Sequence, residues 1–167
     1  QNGGDIWALP TGSDKEPIPI INSKENEEAG KLSPDARWLA FVSNQSGKKE
    51  VYITPFPGPA RHVQISFDGG TEPVWSPNGK ELFYWQGNQM IAAALEVDST
   101  ISVAKRTVLF EKNDLVRSTY GTMRAQYDVH PNGEQFVMIK KVQRSKSELI
   151  VVLNWVQELK RLLSENE

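Results

Sequence analysis

Three times along the chain a proline-containing reversal is followed at once by an unbroken apolar run. The first copy is Leu32-Ser33-Pro34-Asp35-Ala36-Arg37-Trp38-Leu39-Ala40-Phe41-Val42. The second is Trp75-Ser76-Pro77-Asn78-Gly79-Lys80-Glu81-Leu82-Phe83-Tyr84-Trp85, and the third is Val129-His130-Pro131-Asn132-Gly133-Glu134-Gln135-Phe136-Val137-Met138-Ile139. Proline presets φ near −65° at the second turn position, and Asp or Asn follows without strain. Gly79 and Gly133 then supply a residue with φ above zero, where a Cβ would clash. Such turns reverse the chain between adjacent antiparallel strands. Ala36 departs from the pattern, so the first turn is expected to be strained or differently shaped.

The runs after the turns constrain the fold further. A sheet with one wet face alternates apolar and polar residues, whereas a sheet covered on both faces carries continuous apolar runs. Leu39 to Val42, Leu82 to Trp85 and Phe136 to Ile139 do not alternate. They are expected to be inner strands of small sheets, each sandwiched between neighbours. Stacked sheets at a fixed period are what a propeller or solenoid requires.

The spacing agrees with four-stranded units. Ser33 and Ser76 lie 43 residues apart, and Ser76 and His130 lie 54 apart, which places an eleven-residue insertion in the loop from Glu111 to Arg124. The expected organisation is an all-β partial propeller of about three and a half four-stranded antiparallel blades. It comprises a half blade over 5–21, blades over 29–66, 72–110 and 125–153, and a C-terminal α-helix over 154–164. Asn154 can cap that helix, with Gln157 at the capping-box position. Asn22 to Gly30 is expected to be a solvated acidic connection, and Trp7, Trp75 and Trp85 to be core residues.

Composition narrows the chemistry. The 167 residues carry a formal net charge of −2, which favours neither a nucleic-acid partner nor an anionic membrane surface. No apolar stretch approaches a membrane span. With no cysteine, disulfides and thiolate metal sites are excluded, while the compartment stays open. His62 and His130 are the only histidines and lack metal-ligand spacing, so no metal or cofactor is expected. No Gly-x-Ser-x-Gly elbow and no phosphate loop are present.

The Ser-Pro-Asp/Asn turn followed by an aromatic-rich strand resembles the WD40-like repeat of TolB-type β-propellers. Val51-Tyr52-Ile53-Thr54-Pro55-Phe56-Pro57-Gly58, Gly69-Gly70-Thr71-Glu72-Pro73-Val74-Trp75-Ser76 and Val152-Leu153-Asn154-Trp155-Val156-Gln157-Glu158-Leu159 are similar to bacterial propeller modules linked to kinases or regulatory domains. The resemblance implies a non-catalytic scaffold for protein or ligand contacts and leans towards an extracytoplasmic location. Alternatives are the propeller portion of a prolyl-oligopeptidase-like hydrolase, or a structural oligomer fragment. Family propellers have six or more blades, so the expected partners are the remaining blades, a second copy or another protein, with no nucleic acid and no membrane. In a meander the turns after alternate strands segregate to opposite rims. Ser43 to Lys49, Gln86 to Asn88 and Val142 to Ser147 should therefore share a rim with the connections between blades. The candidate partner-binding residues on that rim are Lys48, Lys49, Gln86, Asn88, Arg144 and Lys146.

Overall fold

A computed structural model describes residues 3–12, 14–58, 61–115 and 125–140. Within these residues the chain forms four antiparallel sheets and no helix. The first sheet pairs β1 (Ile6–Ala8) with β2 (Ile18–Ile21). The second holds β3 (Glu27–Leu32), β4 (Trp38–Ser43), β5 (Glu50–Pro55) and β6 (Val63–Gln64) in sequence order. The third repeats that meander with β7 (Thr71–Trp75), β8 (Glu81–Gln86), β9 (Gln89–Val97) and β10 (Ile101–Glu111). The fourth pairs β11 (Tyr127–Val129) with β12 (Phe136–Met138).

The side-chain alternation of β4 explains its unbroken apolar run. Leu39 and Phe41 pack with Tyr52 against Ile20 and Ile21 of the first sheet. Trp38, Ala40 and Val42 point the other way and join Leu82, Tyr84, Ile91 and Ala93 of the third sheet. The strand is buried along its whole length, because both of its faces are covered. In β8 the same division holds. Leu82 and Tyr84 face the second sheet, whereas Phe83 and Trp85 face Tyr127, Phe136 and Met138 of the fourth. Burial of each large side chain in these layers contributes about 1.5–3 kcal/mol. Each of the first three sheets thus has the next one as its lid, whereas the third apolar run is covered on one face only among the described residues, with Val137 and Ile139 68% and 52% exposed.

All three reversals share one hydrogen-bond pattern. The backbone N–H of Ala36, Gly79 and Gly133 donates to the carbonyl of Ser33, Ser76 and His130 at 2.8, 2.9 and 2.7 Å. Their φ angles are 55°, 69° and 78°, so Ala36 adopts the glycine-like conformation and the first turn keeps its shape under strain. His130 also reproduces the serine role. Its Nδ1 lies 2.7 Å from Asn132 Oδ1, where Ser33 and Ser76 donate to Asp35 and Asn78.

Several expectations need correction. Glu27 and Glu28 belong to β3 rather than to a solvated loop, and Glu27 is buried. Ser23 and Ser43 donate to its Oε1 at 2.9 and 3.0 Å, which offsets part of the desolvation cost. Trp7 is not core: it is 46% exposed, because among the described residues no further sheet covers the outer face of the first. The outermost strand of the third sheet runs from Ile101 to Glu111, one residue past the expected end of the unit 72–110. The expected helix over 154–164, the last strand of the unit 125–153 and most of the inserted loop lie outside the described residues.

One feature went unread in the sequence. β3 and β7 each carry a register shift, between Glu28 and Lys31 and between Thr71 and Val74. Ala29 and Glu72 occupy the same repeat position there, with φ of 58° and 56°. A β-bulge of this kind bends the strand and raises its local twist.

Candidate functional site

The ends of the strands form two rims. At the upper rim the turn after β4 meets the connection between the second and third sheets. Glu50 starts β5 fully buried, and its carboxylate accepts from Ser66 Oγ and from the Gly69 N–H, the latter at 2.8 Å. Ser66 Oγ in turn accepts from the Val51 N–H at 2.8 Å. Lys48 Nζ lies 2.9 Å from Asp68 Oδ1 and 3.7 Å from Glu50 Oε1. The hydrogen bond to Asp68 raises the Lys48 pKa, with Asp68 and Glu50 adding charge attraction. Lys49 pairs with Glu28. Two of the candidate partner-binding residues are therefore engaged within the protein.

The equivalent corner of the third sheet is also tied. Asn88 Nδ2 donates to Glu111 Oε1 at 2.7 Å and to Asn113 Oδ1 at 2.9 Å. Gln86 pairs with Gln89 across the β8–β9 hairpin. Arg144 and Lys146 lie outside the described residues. The structure thus brings Lys48 and Lys49 together at one corner and places Gln86 and Asn88 at the next. Both corners work as latches between strand ends.

The lower rim is built from the Ser-Pro-Asp/Asn turns, and there the second and third sheets part to leave a cleft of about 440 Å³. Asp35, Arg37 and Trp38 line one side, and Asn78, Lys80, Leu95 and Val97 line the other. Asp35 accepts from Ser33 Oγ at 2.6 Å and from Arg37 Nε at 2.6 Å. These two donors hold its pKa down at about 2. Asn78 Oδ1 accepts from Ser76 Oγ at 2.8 Å and from the Lys80 N–H at 2.9 Å. The acceptors of both turns are thereby occupied. The Trp38 indole Nε1–H is buried without an acceptor among the described residues. An unmet buried donor costs about 1–3 kcal/mol.

A second hollow of about 520 Å³ opens beside the ends of β3 and β7, lined by Lys31, Trp75, Tyr127 and Asp128 among others. Its two aromatic donors are met internally. Trp75 Nε1 donates to the Lys31 carbonyl at 3.0 Å, and Tyr127 donates to the Glu72 carbonyl at 2.8 Å. Burial pushes the Tyr127 pKa well above its ordinary value, keeping the phenol protonated as a donor. Among the described residues no group of three or more His, Asp and Glu side chains is placed to hold a metal ion. His62 instead sets its ring edge-on to Phe41 at 5.2 Å, and burial lowers its pKa.

The sequence expectation centred on the upper rim and treated the lower turns as structural. Arg37, Trp38 and Lys80, which line the cleft, were not among the candidates. The available signal was the basic residue that follows the turn in both copies, Arg37 after Ala36 and Lys80 after Gly79.

No protein-family profile matches the chain, and no curated protein matches it. Among solved structures, a crystal structure described as a putative 6-phosphogluconolactonase from Bacteroides uniformis is similar, with a TM-score of 0.49 and 13% sequence identity. The match covers 79% of this chain and 39% of that one, so the chain spans about two-fifths of its length. The expectation of a non-catalytic module, with enzyme activity excluded, is corrected by this finding, since the protein with the similar structure is described as an enzyme. The physical reason is that a site built from the ends of several sheets needs no contiguous motif. The missing Gly-x-Ser-x-Gly elbow and phosphate loop therefore exclude nothing. A likeness at this level transfers no activity to the present chain.

Proposed function

We propose that the protein is a section of a larger β-propeller of the TolB-type, WD40-like kind, and that its working site is completed when further blades stack on it. The observation that carries this reading is the outer face of the first sheet. Trp7 is 46% exposed there, opposite Pro19 of the partner strand, and Leu9 and Ile18 at the open end of the same hairpin are 73% and 52% exposed. Ile6 and Ala8, from the same hairpin, pack inward on the core shared with the second sheet. Every other sheet junction among the described residues sets apolar face against apolar face. A face of that chemistry at the end of a stack is a docking face for one more sheet. The repeating turn, the 43-residue period and the shared inner-strand bulge support propeller blades as the unit of stacking.

The matching sheet comes from additional blades of the propeller, and in their absence a second copy of the chain serves. An environment-sensitive dye that fluoresces on apolar surface tests the face. The chain is expected to bind it, and the triple variant Trp7→Ser, Leu9→Ser, Ile18→Ser is expected to lose most of the signal. Equal dye binding by the variant, with the fold intact by circular dichroism, would place the exposed surface elsewhere.

A further inference from the structure

We infer that the outer face of the fourth sheet is a docking surface for a second copy of this chain, whose first sheet it receives head to tail. The argument is one of repeat position, and it rests on the reading above that the first sheet ends in a docking face. In each repeat the strand after the reversal turns two side chains back towards the preceding sheet: Leu39 and Phe41, Leu82 and Tyr84, Phe136 and Met138. The residue after each of these turns forward. Ala40 and Val42 thereby meet the third sheet, and Phe83 and Trp85 meet the fourth. Val137 and Ile139 hold the same two positions in the third repeat. They are apolar like their counterparts, yet 68% and 52% exposed.

The occupant follows from the direction of stacking. Every sheet junction among the described residues joins a forward face to a backward face, never like to like. The backward face left open among them is that of the first sheet, where Trp7 stands opposite Pro19. Polar groups agree with that pairing. Asp128 lies opposite Val137 in the β11–β12 pair and is exposed. Two fourth sheets set face to face would therefore bring carboxylates together. A first sheet brings the Trp7 indole N–H instead, which is a donor only. Repulsion in one arrangement and a donor–acceptor match in the other select the head-to-tail contact. Such a contact joins different surfaces on the two copies, so a ring or an open stack follows according to whether its rotation closes.

The test is sedimentation velocity on the full chain and on two variants, Trp7→Glu and Val137→Glu, each at an exposed position and each checked by circular dichroism. The wild type is expected to self-associate, and each variant alone is expected to do so at least about tenfold more weakly. An equimolar mixture of the two variants is expected to regain association, because the Val137→Glu chain keeps its first sheet and the Trp7→Glu chain keeps its fourth. The milder Val137→Ser serves if glutamate disturbs the fold. The inference fails if Val137→Glu associates as the wild type does, if the mixture stays monomeric, or if the wild type is monomeric throughout. Binding of the apolar-surface dye at the Trp7 face judges the underlying reading separately. A monomer that binds the dye there overturns the head-to-tail contact and leaves the docking face standing.

Discussion

The two rims of the second and third sheets are made from the same strands and behave in opposite ways. At the upper rim Glu50 is buried under Ser66, Gly69 and Lys48, and Lys49 is held by Glu28. At the lower rim Asp35 and Asn78 are turned inward upon their own turns, and Lys80 forms no ion pair among the described residues. Where a charged side chain bridges two elements, it fastens them. Where each turn satisfies itself, the elements separate and a cleft remains. The lesson is that a lysine-rich rim is not by itself a binding rim.

The largest effect that sharpens this contrast is expected at the upper latch. Glu50→Ala removes the acceptor for the Ser66 hydroxyl and the Gly69 N–H inside a closed environment. It should cost about 3 kcal/mol in urea-induced unfolding. A loss below about 0.5 kcal/mol would mean that the latch is idle and the contrast between rims false. A smaller effect, of opposite sign, is expected at the lower turn. Ala36→Gly relieves a left-handed alanine worth about 1–2 kcal/mol, against about 0.5–1 kcal/mol for the added freedom of the unfolded chain. The net result should be a gain of about 0.5 kcal/mol in the same unfolding measurement. A loss of stability would show that Ala36 Cβ makes contacts that outweigh its strain.

What the sequence disclosed follows from the range of each interaction. The three reversals were legible because a turn is fixed by adjacent residues, and Ala36 keeps the glycine conformation because the flanking strand ladder imposes it. The apolar runs of β4 and β8 disclosed two-sided burial because burial on both faces leaves its mark on every residue of the strand. Trp7 was misread because a tryptophan is buried only when a neighbouring sheet is present to cover it. Glu27 was misread because an acid among acids reads as solvated. Its hydroxyl partner Ser43 lies sixteen residues away, where no local pattern reveals it. The pairing of Lys48 with Asp68 spans twenty residues and was hidden for the same reason.

The account stands on sheets stacked face to face, with an apolar face left open at the first. Light scattering on the purified chain, across a range of concentrations, tests this most directly. The predicted result is a mass above that of the monomer, rising with concentration and returning to the monomer in the Trp7→Ser, Leu9→Ser, Ile18→Ser variant. A monodisperse monomer at every concentration, unchanged by the triple substitution, would contradict it.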